Sequence, residues 1–270
     1  MHCKAVILAA GSGSRLSPLT PSIPKELLPV VGFPAIHHVV YEMAEMGITD
    51  ILIVLSDGKE SVRDYFTKQP VGKGRTATRL TARYEELLSR VHVSFAYQKE
   101  RRGTGDAVLL AEPFMGDDDL IVAYPDDLIV MDGVGGKPPS ELLSDNGVSS
   151  ILARPVSRCE ARNYGVILPL DVGSTDRVGV RAILEKPSDY PFDEALALVG
   201  RMRLTRDCVD EIARHPLTDS VGITLALNAM ASRGALVAAV TRERVYDVGT
   251  HEGYTSTIRE ISRTRITDYE

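Results

Sequence analysis

A run of apolar residues, Ala5 to Ala10, opens directly onto Gly11-Ser12-Gly13-Ser14-Arg15-Leu16. Glycines at such a turn let an anion approach the backbone amides with no Cβ in the way. Arg15 adds a forked cation, and Lys25 adds a second on a segment stiffened by Pro24 and Pro29. Two cations beside an amide-rich turn could neutralise a triphosphate. The pattern matches neither familiar nucleotide loop. A dinucleotide fingerprint needs a small third residue where Leu16 stands, and a P-loop ends in Gly-Lys-Ser/Thr, which is missing. Pro18 and Pro21 also disfavour an immediate long helix. Further along, Pro125-Asp126-Asp127 closes another apolar run. A lone aspartate in such a place ordinarily makes a turn or a cap. His37 and His38 are adjacent rather than four apart, so they form no paired metal face and read as structural or surface residues.

The elements that position these residues follow from hydrophobic patterning. Residues 4–10, 51–55, 91–97 and 119–124 read as buried strands. Between them, residues 35–47 carry helical spacing that stops at Gly47, and shorter helices are predicted at 59–66 and 105–112. Alternating strands and helices predict an α/β fold, doubly wound on a mostly parallel sheet. Ligands bind such sheets beyond the carboxyl ends of the strands. The glycine-rich loop and Pro125-Asp126-Asp127 both sit at such ends. In the second half, strands are predicted at 149–155, 164–170, 180–186 and 196–204, with helices near 205–214, 220–233 and 252–262. Residues 131–147 read as a surface connection. No linker interrupts the 270 residues, so one domain is expected, with about 1–130 and 131–270 as its two halves. The basic residues Lys68, Lys73, Arg75, Arg79 and Arg83 read as a solvated face, with a mobile flap over an anionic substrate as the alternative.

Composition narrows the function classes. Thirty-one basic residues against 37 acidic ones leave a net charge of −6, which argues against a DNA-coating protein. Trp is absent and aromatics are 6%, so stacking platforms for single strands are not expected. Three scattered cysteines, Cys3, Cys159 and Cys208, form no C-x-x-C pair. A zinc site and a disulfide framework are therefore not expected, and a soluble protein of the reducing cytoplasm is. No apolar run reaches membrane length.

Read further, the loop continues Leu16-x-Pro18-Leu19-Thr20-x-x-Ile23-Pro24-Lys25-Glu26-Leu27-Leu28-Pro29-Val30. In this wording the chain resembles the sugar-1-phosphate nucleotidylyltransferases, above all the bacterial UTP–glucose-1-phosphate uridylyltransferases. The thymidylyltransferases usually carry glutamine after the lysine. The resemblance continues in order through Gln98-x4-Gly103-Thr104-Gly105-Asp106-Ala107, Tyr124-Pro125-Asp126, Asn163-Tyr164-Gly165-Val166, Glu185-Lys186-Pro187, Val199-Gly200-Arg201 and Tyr246-Asp247-Val248-Gly249-Thr250. It spans roughly residues 4 to 254.

The resemblance implies a Rossmann-like nucleotidyltransferase fold whose irregular second half binds the sugar phosphate. It implies attack by a sugar-1-phosphate oxygen on the α-phosphorus of a nucleoside triphosphate, with Mg²⁺ on Asp126 and Asp247. Arg15, Lys25 and Lys186 would be the catalytic cations. Ala9, Ala10, Gly11, Gly13, Gln98 and Gly103 would bind the nucleotide, Gln98 offering a donor and an acceptor to a pyrimidine edge. Gly165, Glu185, Lys186 and Gly200 would bind the sugar phosphate. Asp127 has no assigned counterpart and reads as a turn residue or a support for its neighbours. A homo-oligomer, dimer or tetramer, is implied as well. Uracil and thymine differ by one methyl group, worth about 1–3 kcal/mol in an apolar pocket, so dTTP stays open. The family's acidic-Gln-Leu-Thr-Asp stretch is incomplete at Thr218-Asp219-Ser220-Val221-Gly222, which leaves the sugar and the subunit contact open. A non-catalytic nucleotide-binding homologue remains an alternative, and a dinucleotide-dependent oxidoreductase ranks last.

Overall fold

The computed structural model describes residues 3–68, 75–130, 142–143, 147–170, 176–217 and 223–269. The first strands are β1 (Cys3–Leu8), β2 (Pro29–Val30), β3 (Phe33–Pro34), β4 (Asp50–Ser56), β5 (His92–Gln98), β6 (Asp119–Ala123) and β7 (Asp127–Val130). They are followed by β8 (Ser149–Ser157), β9 (Gly165–Pro169), β10 (Arg177–Glu185), β11 (Glu194–Leu204), β12 (Leu236–Val240) and β13 (Arg244–Asp247). The helices are α1 (Ala35–Glu45), α2 (Glu60–Thr67), α3 (Arg75–Arg90), α4 (Gly103–Leu109), α5 (Glu112–Met115), α6 (Arg158–Ala161), α7 (Arg206–Ala213), α8 (Thr224–Ser232) and α9 (His251–Tyr269).

One nine-stranded sheet takes strands from both halves, in the order β5-β4-β1-β6-β11-β8-β12-β10-β9. Its first four strands pair in parallel, as the βα alternation requires. From β6 onward the pairing is mixed: β11 runs antiparallel to β6 and β8, and among the described residues only β12 on β8 is parallel. The parallel character is thus a property of the first half of the chain. Beyond it the strand order departs from chain order, and the parallel β8–β12 pair is reached by a crossover whose last part is α7 and α8. Alternate residues of β1 serve opposite faces. Val6 and Leu8 join a core with Ala107, Val209 and Leu227, while Ala5 and Ile7 join one with Ile36, Val39 and Met43. Helices α4, α7 and α8 therefore cover one face and α1 the other, which makes the winding double.

Helix α1 ends as Gly47 predicts. Its φ is +77°, and Ile48 N–H reaches back to the Met43 carbonyl at 3.0 Å. Several boundaries differ from the periodicity. The predicted 105–112 helix is α4 followed by a separate short α5, and the 180–186 strand starts earlier and stops at Glu185. Strands β12 and β13 carry too little alternation to be read in advance, and the ribbon β7–β13 is a pairing that only the folded chain makes. Much of the predicted 131–147 connection, Lys73 of the basic stretch and the 218–222 segment lie outside the described residues. Arg75 opens α3, which continues through Arg79 and Arg83.

Candidate active site

Strand β6 ends at Ala123 and β7 starts at Asp127, so Tyr124-Pro125-Asp126 is a tight corner at the carboxyl end of a central strand. Strand β7 then pairs with β13, and Asp127 lies opposite Asp247. That ribbon brings the two distant aspartate segments together. Val248 N–H donates to the Asp126 carbonyl at 2.8 Å, and Gly249 N–H to Asp247 Oδ1 at 2.8 Å. Gly249 must be glycine: a Cβ there would come within 2.9 Å of Asp247 Oδ1 and would overlap Asp126 Oδ2.

Both cations of the glycine-rich segment reach this pair. Lys25 Nζ donates to Asp126 Oδ2 at 2.6 Å. Arg15 spans the site, with Nη1 3.1 Å from Asp247 Oδ2 and Nη2 3.5 Å from Asp126 Oδ2. Burial alone would raise the Asp126 carboxyl. The Lys25 ammonium and the Arg15 guanidinium outweigh it and hold the group below its ordinary range. Burial likewise pulls the Lys25 ammonium down, but the Asp126 and Glu26 carboxylates raise it above its ordinary value. Asp126 and Lys25 therefore stay ionised at neutral pH.

The loop itself departs from a dinucleotide turn for a visible reason. Gly13 sits at φ +68° and leads into a single 3-10 turn, Ser14–Leu16, whose Leu16 side chain is fully buried. Leu16 is an anchor of the loop, where a dinucleotide site would use a small residue to seat a helix. Beneath the loop, Lys59 Nζ donates to the Ala9 carbonyl at 2.6 Å, the Gly11 carbonyl at 2.7 Å and Glu26 Oε1 at 2.7 Å.

Asp127 faces inward. Its Oδ2 accepts the Gly200 N–H at 2.7 Å, and burial together with the Asp126 and Asp247 carboxylates pushes its carboxyl up to about 6. Gly200 has no room for a side chain, since a Cβ would stand 2.6 Å from the Tyr124 ring. Arg201 is fully buried and ties this corner together. Its guanidinium bonds both oxygens of Glu42 and the carbonyls of Tyr124, Gly200 and Asp127, at 2.8–3.2 Å. The Tyr124 hydroxyl bonds Thr104, and burial keeps it protonated.

The remaining candidates fall into two groups beside this centre. Gln98 Nε2 donates to the Gly103 carbonyl at 3.0 Å and to Asp106 Oδ2 at 2.9 Å. Both amide hydrogens are committed within the protein, which corrects the expectation of a paired donor and acceptor. The amide oxygen is what Gln98 has left to offer, and Asp106 fixes its direction. On the other side, Gly165 pairs with Glu185, and Thr224 Oγ1 donates to Glu185 Oε2 at 3.3 Å. Adjacent residues of a regular strand point to opposite faces. Here β10 stops at Glu185, and Lys186 takes φ +43°, held by its N–H to the Tyr164 carbonyl at 3.1 Å. Such a conformation is strained for a non-glycine residue and frees Lys186 from the strand's alternation. No ion pair joins the exposed Lys186 side chain to the aspartates among the described residues.

The model of a family described as nucleotidyl transferase matches residues 4–264. A UTP–glucose-1-phosphate uridylyltransferase of Staphylococcus epidermidis is 31% identical over 265 residues, 95% of this chain and 91% of that protein. The chain belongs to the nucleotidyl transferase family. Among solved structures, a UDP-glucose pyrophosphorylase complexed with UDP-glucose superposes with a TM-score of 0.86 at 28% identity, covering 98% of this chain and 100% of that one. A UTP-bound enzyme of the same kind from Acinetobacter baumannii gives 0.81 at 27% identity, over 98% and 94% of the two chains. This nucleotidyl transferase is therefore an α/β enzyme with the fold of the UDP-glucose pyrophosphorylases. No helix among the described residues is long and apolar enough to cross a membrane.

Nucleotidyl transferases generally work with a divalent metal, and the donor set fits one. Two carboxylates meet at a cradle kept open by Gly249, and their oxygens suit a hard cation. Among the described residues no three metal-binding side chains converge, so substrate phosphates and water would complete the shell, as magnesium favours. Sequence reasoning passed over Lys59, Glu42, Tyr124 and Gly249 as site residues. Tyr124 and Gly249 lay inside quoted motifs, but Lys59 and Glu42 sit on or beside helices far away in sequence and carry no local signal.

Proposed function

We propose that the chain transfers the uridylyl group of UTP to glucose 1-phosphate, giving UDP-glucose and pyrophosphate. The observation that carries this reading is the convergence of Arg15, Lys25, Asp126 and Asp247 at one corner, in a chain 31% identical to a uridylyltransferase of that specificity. A phosphate oxygen of the sugar phosphate attacks the α-phosphorus of UTP, the bond to the β-phosphate bridge breaks, and pyrophosphate leaves. No protein nucleophile is required, so the protein's task is alignment and charge shielding. Asp126 and Asp247 would hold Mg²⁺, which supplies charge neutralisation at the phosphate oxygens. Arg15 and Lys25 neutralise the triphosphate, and Lys186 takes the sugar phosphate. Ala9, Ala10, Gly11 and Gly13 offer backbone to the nucleotide, with Gln98 and Gly103 at the base. Gly165 and Glu185 hold the sugar, whereas Gly200, whose N–H donates to Asp127 and whose carbonyl accepts from Tyr124 N–H and Arg201 Nη1, supports the aspartate corner instead. Cys3, Cys159 and Cys208 form no disulfide with one another, which supports a cytoplasmic setting. A homo-oligomer is part of the same reading.

The test is pyrophosphate release with Mg²⁺ across UTP, dTTP, CTP, GTP and ATP against a panel of sugar 1-phosphates. Release with UTP and glucose 1-phosphate is expected. Release with another pair keeps the chemistry and replaces the substrates. Nucleotide binding without release from any pair overturns turnover. Lys186→Ala should raise the KM for the sugar phosphate, and a defect confined to nucleotide binding would remove its assignment.

A further inference from the structure

Lys59 is a third cation at the glycine-rich loop, and it has no donor left for a substrate. Its ammonium carries three N–H groups, and all three are spent, on the Ala9 carbonyl, the Gly11 carbonyl and Glu26 Oε1, at 2.6–2.7 Å. Lys59 and Glu26 are both buried, 7% and 1% exposed. The two carbonyls it holds belong to the peptide groups Ala9–Ala10 and Gly11–Ser12, and both peptides are trans. In a trans peptide the C=O and the N–H point in opposite directions. Pulling both carbonyls toward one buried ammonium therefore turns the N–H groups of Ala10 and Ser12 away from it. Among the described residues neither N–H donates to a carbonyl or a side chain. Ser12 is exposed, and the outer side of Gly11 lies beside Lys25, 3.8 Å from the position of a Cβ.

We propose that Lys59 is a positioning residue: it sets the peptide planes of the glycine-rich loop so that the Ala10 and Ser12 N–H groups face the phosphates of the bound nucleotide. Glu26 balances its charge, so the ammonium stays on the carbonyls and does not compete for phosphate. This inference rests on the proposed binding of UTP. A glycine-rich turn has no side-chain packing of its own to choose among peptide orientations, and a buried three-way contact makes the choice before substrate arrives.

The test compares ligands with and without phosphates. Dissociation constants for UTP and for uridine are measured calorimetrically for the wild type, for Lys59→Met and for Lys59→Met/Glu26→Gln. The double variant removes both charges, so it keeps the question open to measurement if Lys59→Met alone fails to fold. The expected result is UTP affinity reduced at least tenfold with uridine affinity changed less than twofold, in a variant that melts cooperatively. A purely structural lysine would weaken both ligands by the same factor, or lower the melting temperature and leave the UTP-to-uridine ratio unchanged. Either outcome overturns the assignment. If the wild type binds UTP and the ratio is unmoved in the variants, only the role of Lys59 falls. If the wild type binds no UTP, the substrate reading falls, and this inference with it.

Discussion

Arg201→Met isolates the corner that carries the aspartates. The guanidinium is fully buried, and its five N–H groups serve the Glu42 carboxylate and the carbonyls of Tyr124, Gly200 and Asp127. Methionine fills a similar length of space but takes the Arg201 guanidinium away from Glu42, whose side chain is only 8% exposed. Breaking a buried pair from one side costs about 3–5 kcal/mol. Each deserted carbonyl adds up to about 1–3 kcal/mol, depending on whether water reaches it. A loss of about 5 kcal/mol is therefore expected, a large part of the ~5–15 kcal/mol that holds a domain folded. Arg201→Met/Glu42→Leu removes the buried carboxylate as well and should recover much of the loss, because an apolar pair of similar volume does as well as a buried ion pair. Urea unfolding followed by circular dichroism measures both. A single variant within about 1 kcal/mol of wild type, or a double variant less stable than the single, would refute the reasoning. Function gives a second readout. The Tyr124 and Asp127 carbonyls lie on either side of Asp126 in sequence, so Arg201→Lys keeps the charge but loses the fork that fixes the aspartate. Its kcat should fall about tenfold or more for the fraction that is folded.

Asp126→Asn and Asp247→Asn should each lower turnover by about a hundredfold or more, equivalent to roughly 2.7 kcal/mol in the barrier, with the far-ultraviolet spectrum unchanged; near-wild-type rates in both would remove the metal assignment. Gly249→Ala should abolish activity and destabilise by about 1–3 kcal/mol, because its Cβ would stand 2.9 Å from Asp247 Oδ1 and 3.0 Å from Arg15 Nη2; steady-state rates and thermal melts report both, and an active variant would show that the cradle yields. His37 is buried against Phe33 and shares a 3.0 Å hydrogen bond between its Nδ1 and the Tyr65 hydroxyl, and burial holds it at about 3. Its pKa is depressed in the folded state, so stability is complete above the ordinary value near 6.5 and declines as pH falls toward 3. The expected loss between pH 7 and pH 5 is about 2 kcal/mol, absent in His37→Gln; equal pH slopes for the two proteins in urea unfolding would contradict it.

How much of this was legible in one dimension depends on where each signal lies. The strands of the first half are apolar runs bounded by turns, because both faces of their sheet are covered. Ala5 and Ile7 pack on one side and Val6 and Leu8 on the other. The glycine-rich loop, Lys25 and the two aspartate segments carried a family resemblance within contiguous motifs. The mixed pairing of the second half had no such signature, because an antiparallel partner is chosen by position in space. Lys186 shows the same limit on a smaller scale. Strand alternation sets it opposite to Glu185, and the φ of +43° that ends the strand is seen only in the fold.

Local chemistry was thus determined by the sequence alone. It set which segments are strands, which turn admits an anion, and which side chains carry charge at strand ends, since each follows from residues within a few positions of one another. Tertiary structure decided the company those residues keep. Strand β13 pairs with β7 and brings Asp247 beside Asp126. Arg201 and Glu42 clamp the corner from below, and Lys59 turns the loop's carbonyls inward. Buried charges of this kind leave no periodic trace. What specifies each is the need of an ion in a low-dielectric interior for a partner, and that partner comes from another part of the chain.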